Sequence, residues 1–128
     1  IPWSPLARGF LCGNRTREGK ANTTRAASDS FAKPYYTENG FAILDALIKV
    51  ADVRGVTPGE VALAWILQAP GVTAPIVGTT RLKHLDEAIK ALDLELSAEE
   101  IASLEAPYKP QPITGHEQPK AGLMLKQR

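Results

Sequence analysis

The chain has 128 residues, 44% of them apolar, enough for one domain with a real hydrophobic core. Its 15 Lys and Arg against 14 acidic residues leave a net charge of +1, a balance that argues against a dedicated nucleic-acid surface. No apolar run approaches the roughly 18–20 residues that span a bilayer, no signal-peptide pattern is present, and the lone Cys12 has no partner for an internal disulfide or a zinc cluster, so a cytoplasmic protein without a metal is expected.

The chain opens at Ile1-Pro2-Trp3-Ser4-Pro5-Leu6, an apolar start that reads as the middle of a strand and predicts a piece of a longer polypeptide. The run from Ile1 to Gly13 is short, apolar and punctuated by prolines. Asn14 to Asn39 has no helical or strand period and reads as a long loop, of the kind that is functional or disordered. From Phe41 to Val53 a helix is predicted, because Leu44, Leu47, Ile48 and Ala51 fall on one face, and Gly55 is placed to end it in a left-handed turn.

Thr57-Pro58-Gly59-Glu60 is a capping box with proline at the first helical position, flanked by Val56 and Val61 as a hydrophobic staple. The helix it opens runs to Gln68 and is expected to bury Val61, Ala64 and Trp65. After Pro70-Gly71, Val72 to Val77 reads as a short buried strand. Gly78-Thr79-Thr80 turns it into a helix whose inner face is Leu82, Leu85, Ile89 and Leu92. A second capping box, Ser97-Ala98-Glu99-Glu100, stapled by Leu96 and Ile101, opens a last short helix that Pro107 stops, and an extended tail follows. Strands separated by helices imply parallel α/β packing, and two strands are too few for a parallel sheet covered on both faces.

Two turns carry candidate chemistry. At Ile76-Val77-Gly78-Thr79-Thr80 a strand enters a helix, and helix N-termini attract phosphate through unpaired N–H groups and the dipole. Gly78 admits a close approach, the two hydroxyls add donors, and Arg81 and Lys83 add positive charge; equally, Thr79 or Thr80 serves as an ordinary helix cap. In Trp3-Ser4-Pro5-Leu6-Ala7-Arg8-Gly9 an indole, a hydroxyl and a guanidinium lie close together, either to meet a cofactor ring and its phosphates or as a core tryptophan followed by a turn. Cys12 reads as a small packed residue, His116 as part of the tail, and Tyr35-Tyr36 as an anchor of the long loop or a cover for a pocket.

The segment Trp3 to Gly9 resembles the end of the seventh barrel strand in aldo-keto reductases, (Tyr/Trp)-Ser-Pro-Leu-(Ala/Gly)-x-Gly. Pro75-Ile76-Val77-Gly78-Thr79-Thr80 with His84, Glu87 and Ala88 is similar to the eighth strand and the phosphate-binding helix after it. Their order and spacing, and the Leu94-Glu95-Leu96-Ser97 step, fit as well. The resemblance covers nearly the whole chain. It implies the C-terminal part of a (β/α)₈ barrel, with strands 7 and 8 and their helices in residues 1–107 and a tail in 108–128. A complete barrel has roughly 250 residues.

The same resemblance implies an NADP(H)-dependent reduction of aldehydes or ketones to alcohols, with no metal. Trp3 would stack on the nicotinamide, while Ser4 and Leu6 contact the pyrophosphate and Pro5 and Arg8 line the same loop. Arg25 matches a basic position that folds over the cofactor. Gly78, Thr79 and Thr80 would meet the 2′-phosphoadenosine end, with Arg81 or Lys83 favouring NADP by charge. Glu87 would bond the adenine amino group and His84 would stack or bond beside it. His84 stands where the family has Gln or Arg, Ala88 where it has Asn, so one adenine contact is missing, and Asn14 where it often has Lys.

The family's tyrosine, lysine, aspartate and histidine belong to earlier strands. Tyr35, Tyr36, Tyr108 and His116 are not in that context, so no catalytic residue is assigned and this chain alone is expected to be inactive. Only Phe10 and Tyr35–Tyr36 are placed to help shape a carbonyl-substrate pocket. Two other readings stand beside the enzyme: a non-catalytic cofactor-binding regulatory subunit of the same fold, and an inactive half-barrel that self-associates.

Overall fold

The computed structural model describes residues 1–18 and 30–111. Four α-helices dominate them: α1 (Glu38–Arg54), α2 (Pro58–Gln68), α3 (Leu82–Lys90) and α4 (Ala98–Glu105). Two 3-10 segments, Ala7–Cys12 and Ser30–Tyr35, precede them.

Helix α1 begins three residues before the expected Phe41. Thr37 caps it, its hydroxyl accepting from Gly40 N at 3.0 Å, and Glu38 sits at the positive end of the helix dipole. The expected long loop therefore holds a 3-10 turn and the head of a helix. These polar and glycine-bearing residues hide the helix from a hydrophobic period. At the other end Gly55, at φ 66°, donates to Ala51 O and Asp52 O and closes α1 as expected.

Both capping boxes form. Thr57 accepts from Glu60 N at 3.2 Å while Glu60 accepts from Thr57 N at 2.6 Å. Ser97 and Glu100 repeat the exchange at 3.2 and 2.7 Å. Each box closes within three residues, which is why it can be read from sequence.

Helix α1 is the centre of the packing, touching α2, α4 and the Ala7–Cys12 segment. Leu44, Leu47 and Ala51 are buried as predicted, and Ile48 packs at the margin of the same core with Val61, Ala64, Leu96 and Leu104. Trp65 departs from expectation. It lies near the surface, its indole Nε1 donating to Glu105 Oε1 at 3.0 Å, so the ring bridges α2 and α4 with its polar edge outward.

Polar ties set how the helices meet. Gln68 donates to Ala64 O and Leu94 O and accepts from Leu96 N, which fixes the approach to α4. Asn39 donates to Pro107 O at one end of α1, and Arg54 reaches Glu100 at the other, so α1 and α4 run antiparallel. The Arg54 guanidinium grips Glu100 with two bonds of 2.5 and 2.6 Å and also donates to Glu95 O.

That grip, with the bond from Ser97 N, holds the Glu100 carboxyl at a pKa of about 2, below its ordinary 4.5. A carboxylate depressed by folding contributes stability above the unfolded value, and the contribution is lost as pH falls toward the folded one. Wild type is therefore expected to be more stable than Glu100→Gln at about pH 6, with the gap closing toward about pH 2, in paired urea titrations. A gap that stays constant over that range would show that the pair does not titrate with folding.

The two expected strands are reduced to one contact. Trp3 and Ile76 form a parallel bridge, with Ile76 N donating to Pro2 O at 2.8 Å. The run Val72–Val77 is not buried: Ile76 is 57% exposed and Val77 also faces out. The inner face predicted for α3 is exposed too, with Leu82 at 80% and Leu92 at 67%. A 3.6-residue period tells which side chains share a face, while covering that face takes further structure. Among the described residues none does so. No helix among them is long and apolar enough to cross a membrane.

Candidate functional site

The Trp3–Ile76 bridge is the point from which the site is built. It sets the first chain segment beside the one leading to Gly78, both running the same way. Their continuations therefore emerge together, one as a loop and the other as the lead into α3.

The loop is conformationally unusual. Ser4, Ala7 and Arg8 have φ of 52°, 47° and 57°, a region that side-chain-bearing residues rarely adopt. Gly9 follows at 87°. Short backbone bonds tighten it: Ala7 N to Ser4 O at 2.9 Å, Gly9 N to Leu6 O at 2.9 Å, and Leu11 N to Leu6 O at 3.3 Å. Trp3 stands largely in solvent at 73% exposure, so it is not a core tryptophan. Ser4, Pro5 and Arg8 are half-buried, and the Leu6 side chain packs against the core.

Phe10 differs from expectation. It is 2% exposed, with its ring 5.3 Å from both Tyr36 and Phe41 in edge-on contacts and 6.3 Å from Tyr35. It is a core residue rather than a wall of a substrate pocket, and Tyr35–Tyr36 pack around it. Cys12 is also misjudged by sequence: it is exposed by area. Crowding around the sulfur still raises its pKa, as does the Glu87 carboxylate, with Arg15 opposing.

On the α3 side, Gly78, Thr79, Thr80 and His84 are all exposed and Glu87 is half-buried. Gly78 faces open space, since a Cβ there would meet no atom within 4 Å. The Thr79 hydroxyl donates to Arg81 O at 2.9 Å and accepts from Arg81 N at 3.2 Å, a turn of its own ahead of the helix. Arg81 occupies the N-cap position, and no side chain caps α3. Neither Thr79 nor Thr80 therefore caps α3 with its side chain. Lys83 Nζ lies 3.8 Å from Glu87 Oε1, one turn along.

Sequence reasoning did not foresee a cleft of about 520 Å³ between the start of α2 and α3. Gly55, Val56, Thr57 and Glu60 line one side, and Lys83, Asp86, Glu87 and Lys90 the other. Only Lys83 and Glu87 among them were singled out as binding candidates from sequence, while Gly55, Val56, Thr57 and Glu60 were read as helix-end residues, because the cleft joins segments well apart along the chain. The residues Trp3 to Arg8 do not line it. Arg25 and His116 lie outside the described residues.

The family model for the aldo/keto reductase family matches residues 1–109. The chain belongs to that family. Aldo-keto reductase AMT2 of Alternaria alternata is 40% identical over 116 residues, covering 91% of this chain and 30% of the relative. Versiconal hemiacetal acetate reductase of Aspergillus parasiticus is 37% identical over 114 residues, 88% of this chain and 33% of the relative. A putative aryl-alcohol dehydrogenase, C977.14c of Schizosaccharomyces pombe, is 38% identical over 116 residues, 90% and 32% of the two chains. The chain thus spans about a third of the length of the curated relatives it matches.

The aldo/keto reductase family implies a (β/α)₈ barrel, and a parallel pairing such as Trp3 with Ile76 is what neighbouring barrel strands require. Enzymes of this family generally use nicotinamide cofactors on small carbonyl substrates. The residues present fit such a group: an exposed indole, a helix N-terminus without a side-chain cap and open space before Gly78 lie at adjoining chain segments.

Proposed function

We propose that this chain is the cofactor-gripping C-terminal portion of an NADP(H)-dependent, cytoplasmic aldo-keto reductase that converts aldehydes or ketones to alcohols. In this reading residues 1–107 supply strands 7 and 8 with their helices, and 108–128 are a tail. The observation that carries it is the parallel Trp3–Ile76 bridge, which sets the indole-bearing segment beside the one that leads into α3. The bound nicotinamide would supply the hydride.

Trp3 offers its exposed ring as a flat surface for the nicotinamide. Ser4, Pro5, Leu6 and Arg8 form the loop toward the pyrophosphate, through the hydroxyl, backbone and guanidinium. Gly78, Thr79 and Thr80 lead to the uncapped N-terminus of α3, where N–H groups and the dipole suit the phosphate of the adenosine end. Arg81 or Lys83 adds the charge that favours a 2′-phosphate. Glu87, which lines the cleft, would accept from the adenine amino group, with His84 three residues before it on the same helix. Arg25 belongs to this reading from the sequence motif alone. No residue of the chain is assigned to proton transfer, so the chain alone reduces no carbonyl. The relatives' names, a hemiacetal acetate reductase and an aryl-alcohol dehydrogenase among them, support the reaction class. The exposed apolar face of α3 is, in this reading, covered by the other strand–helix units of the barrel.

Indole fluorescence tests it. NADPH should quench the emission of the full-length protein, Trp3→Ala should abolish most of that quenching, and affinity should fall roughly 2–10-fold for a lost aromatic contact. Trp65, tied to Glu105 across α2 and α4, should contribute little to the change. Quenching and affinity that survive Trp3→Ala intact would remove the indole from the site.

A further inference from the structure

We propose that Phe10 is a positioning residue for the dinucleotide: its buried ring holds the Ser4–Gly9 loop in the left-handed conformation that the pyrophosphate meets. The inference rests on the cofactor-gripping function proposed above and adds a determinant that touches neither substrate nor cofactor.

The loop cannot hold its shape by local preference. Three side-chain-bearing residues, Ser4, Ala7 and Arg8, occupy positive φ within five positions, and each such residue is strained. Strain of this kind persists only where surrounding structure over-determines it. The turn bonds from Ala7, Gly9 and Leu11 are available to many loop shapes. What is particular here is the residue next in line. Phe10 is among the largest fully buried side chains, seated edge-on against Tyr36 and Phe41.

Phe41 in turn belongs to the first turn of α1, fixed by the Thr37 cap, and the Arg17 guanidinium lies 5.2 Å from its ring centroid. Arg17 is itself held by Asp45 at 2.5 Å. A continuous packed path therefore runs from the rigid head of α1 through Phe41 and Phe10 to the strained residues. With the ring removed, Ala7 and Arg8 are free to return to negative φ, and the Ser4 and Arg8 groups leave their positions together. Helix α3 packs on α2, so its N-terminus is expected to stay in place.

The experiment compares two ligands on the full-length protein carrying Phe10→Ala, with Phe10→Leu as the variant that keeps most of the buried volume. NADPH spans both the loop and α3, whereas 2′,5′-ADP needs only the α3 end. Phe10→Ala should weaken NADPH about tenfold or more and Phe10→Leu less, while 2′,5′-ADP changes less than about twofold in either. In turnover assays KM for NADPH should rise with kcat at saturating cofactor unchanged. Equal weakening of both ligands in the folded Phe10→Leu protein, or NADPH affinity that stays at the wild-type level, overturns the proposal. Wild-type protein that binds neither ligand overturns instead the cofactor-gripping reading, and this inference with it.

Discussion

Gly40→Ala is expected to destabilise the protein by about 3 kcal/mol or more, although alanine is the better helix former by about 1 kcal/mol. A Cβ on Gly40 would collide with the Tyr35 carbonyl oxygen and lie 3.2 Å from its carbon. These are backbone atoms and have little room to yield. The same carbonyl accepts from Thr37 N at 2.9 Å, and Gly40 N donates to the Thr37 hydroxyl, so one added methyl strikes the whole turn into α1. The turn also carries Tyr35 and Tyr36 to Phe10, so the aromatic cluster should loosen with it. Gly59→Ala is the control. Its Cβ would meet nothing closer than 3.9 Å in an otherwise ordinary helical turn, and it should be neutral or slightly stabilising. Urea midpoints measured for both variants check this, and similar midpoints would mean the turn is far more compliant than its geometry.

Leu44→Ala should cost about 2–5 kcal/mol, a large part of the roughly 5–15 kcal/mol that holds a domain folded. Leu44 is 1% exposed on the face of α1 that meets the core. Removing its side chain loses transfer energy and leaves a cavity that the neighbouring helices close only in part. Leu82→Ala is the informative partner. Leu82 holds an equivalent place in the apolar pattern of α3, yet it is 80% exposed and, measured on this 128-residue chain by itself, should cost less than about 0.5 kcal/mol. Equal costs, read from thermal or urea unfolding, would mean that α3 is covered in solution.

This pair of leucines marks the boundary between what was legible and what was not. The two capping boxes and the Gly55 terminus are all legible in the sequence, because each closes within a few residues. The buried stripe of α1 was readable as well. The stripe of α3 was equally regular, yet nothing described here covers it. Phe10, taken as a pocket residue, proved to be core, while Cys12 and Trp65, taken as packed, proved to lie at the surface. The cleft between α2 and α3 had no signature at all, since its walls come from two helices whose approach neither one encodes.

By itself, then, the sequence determined the four α-helices, two capping boxes, the Gly55 terminus and the family, through bonds that span three or four residues and motifs that stay contiguous. Only the tertiary structure decided which apolar faces are buried, that Trp3 stands beside Ile76, and that three residues of positive φ precede a buried Phe10. Burial and strain depend on atoms contributed from far along the chain, and a local pattern contains no information about that distance.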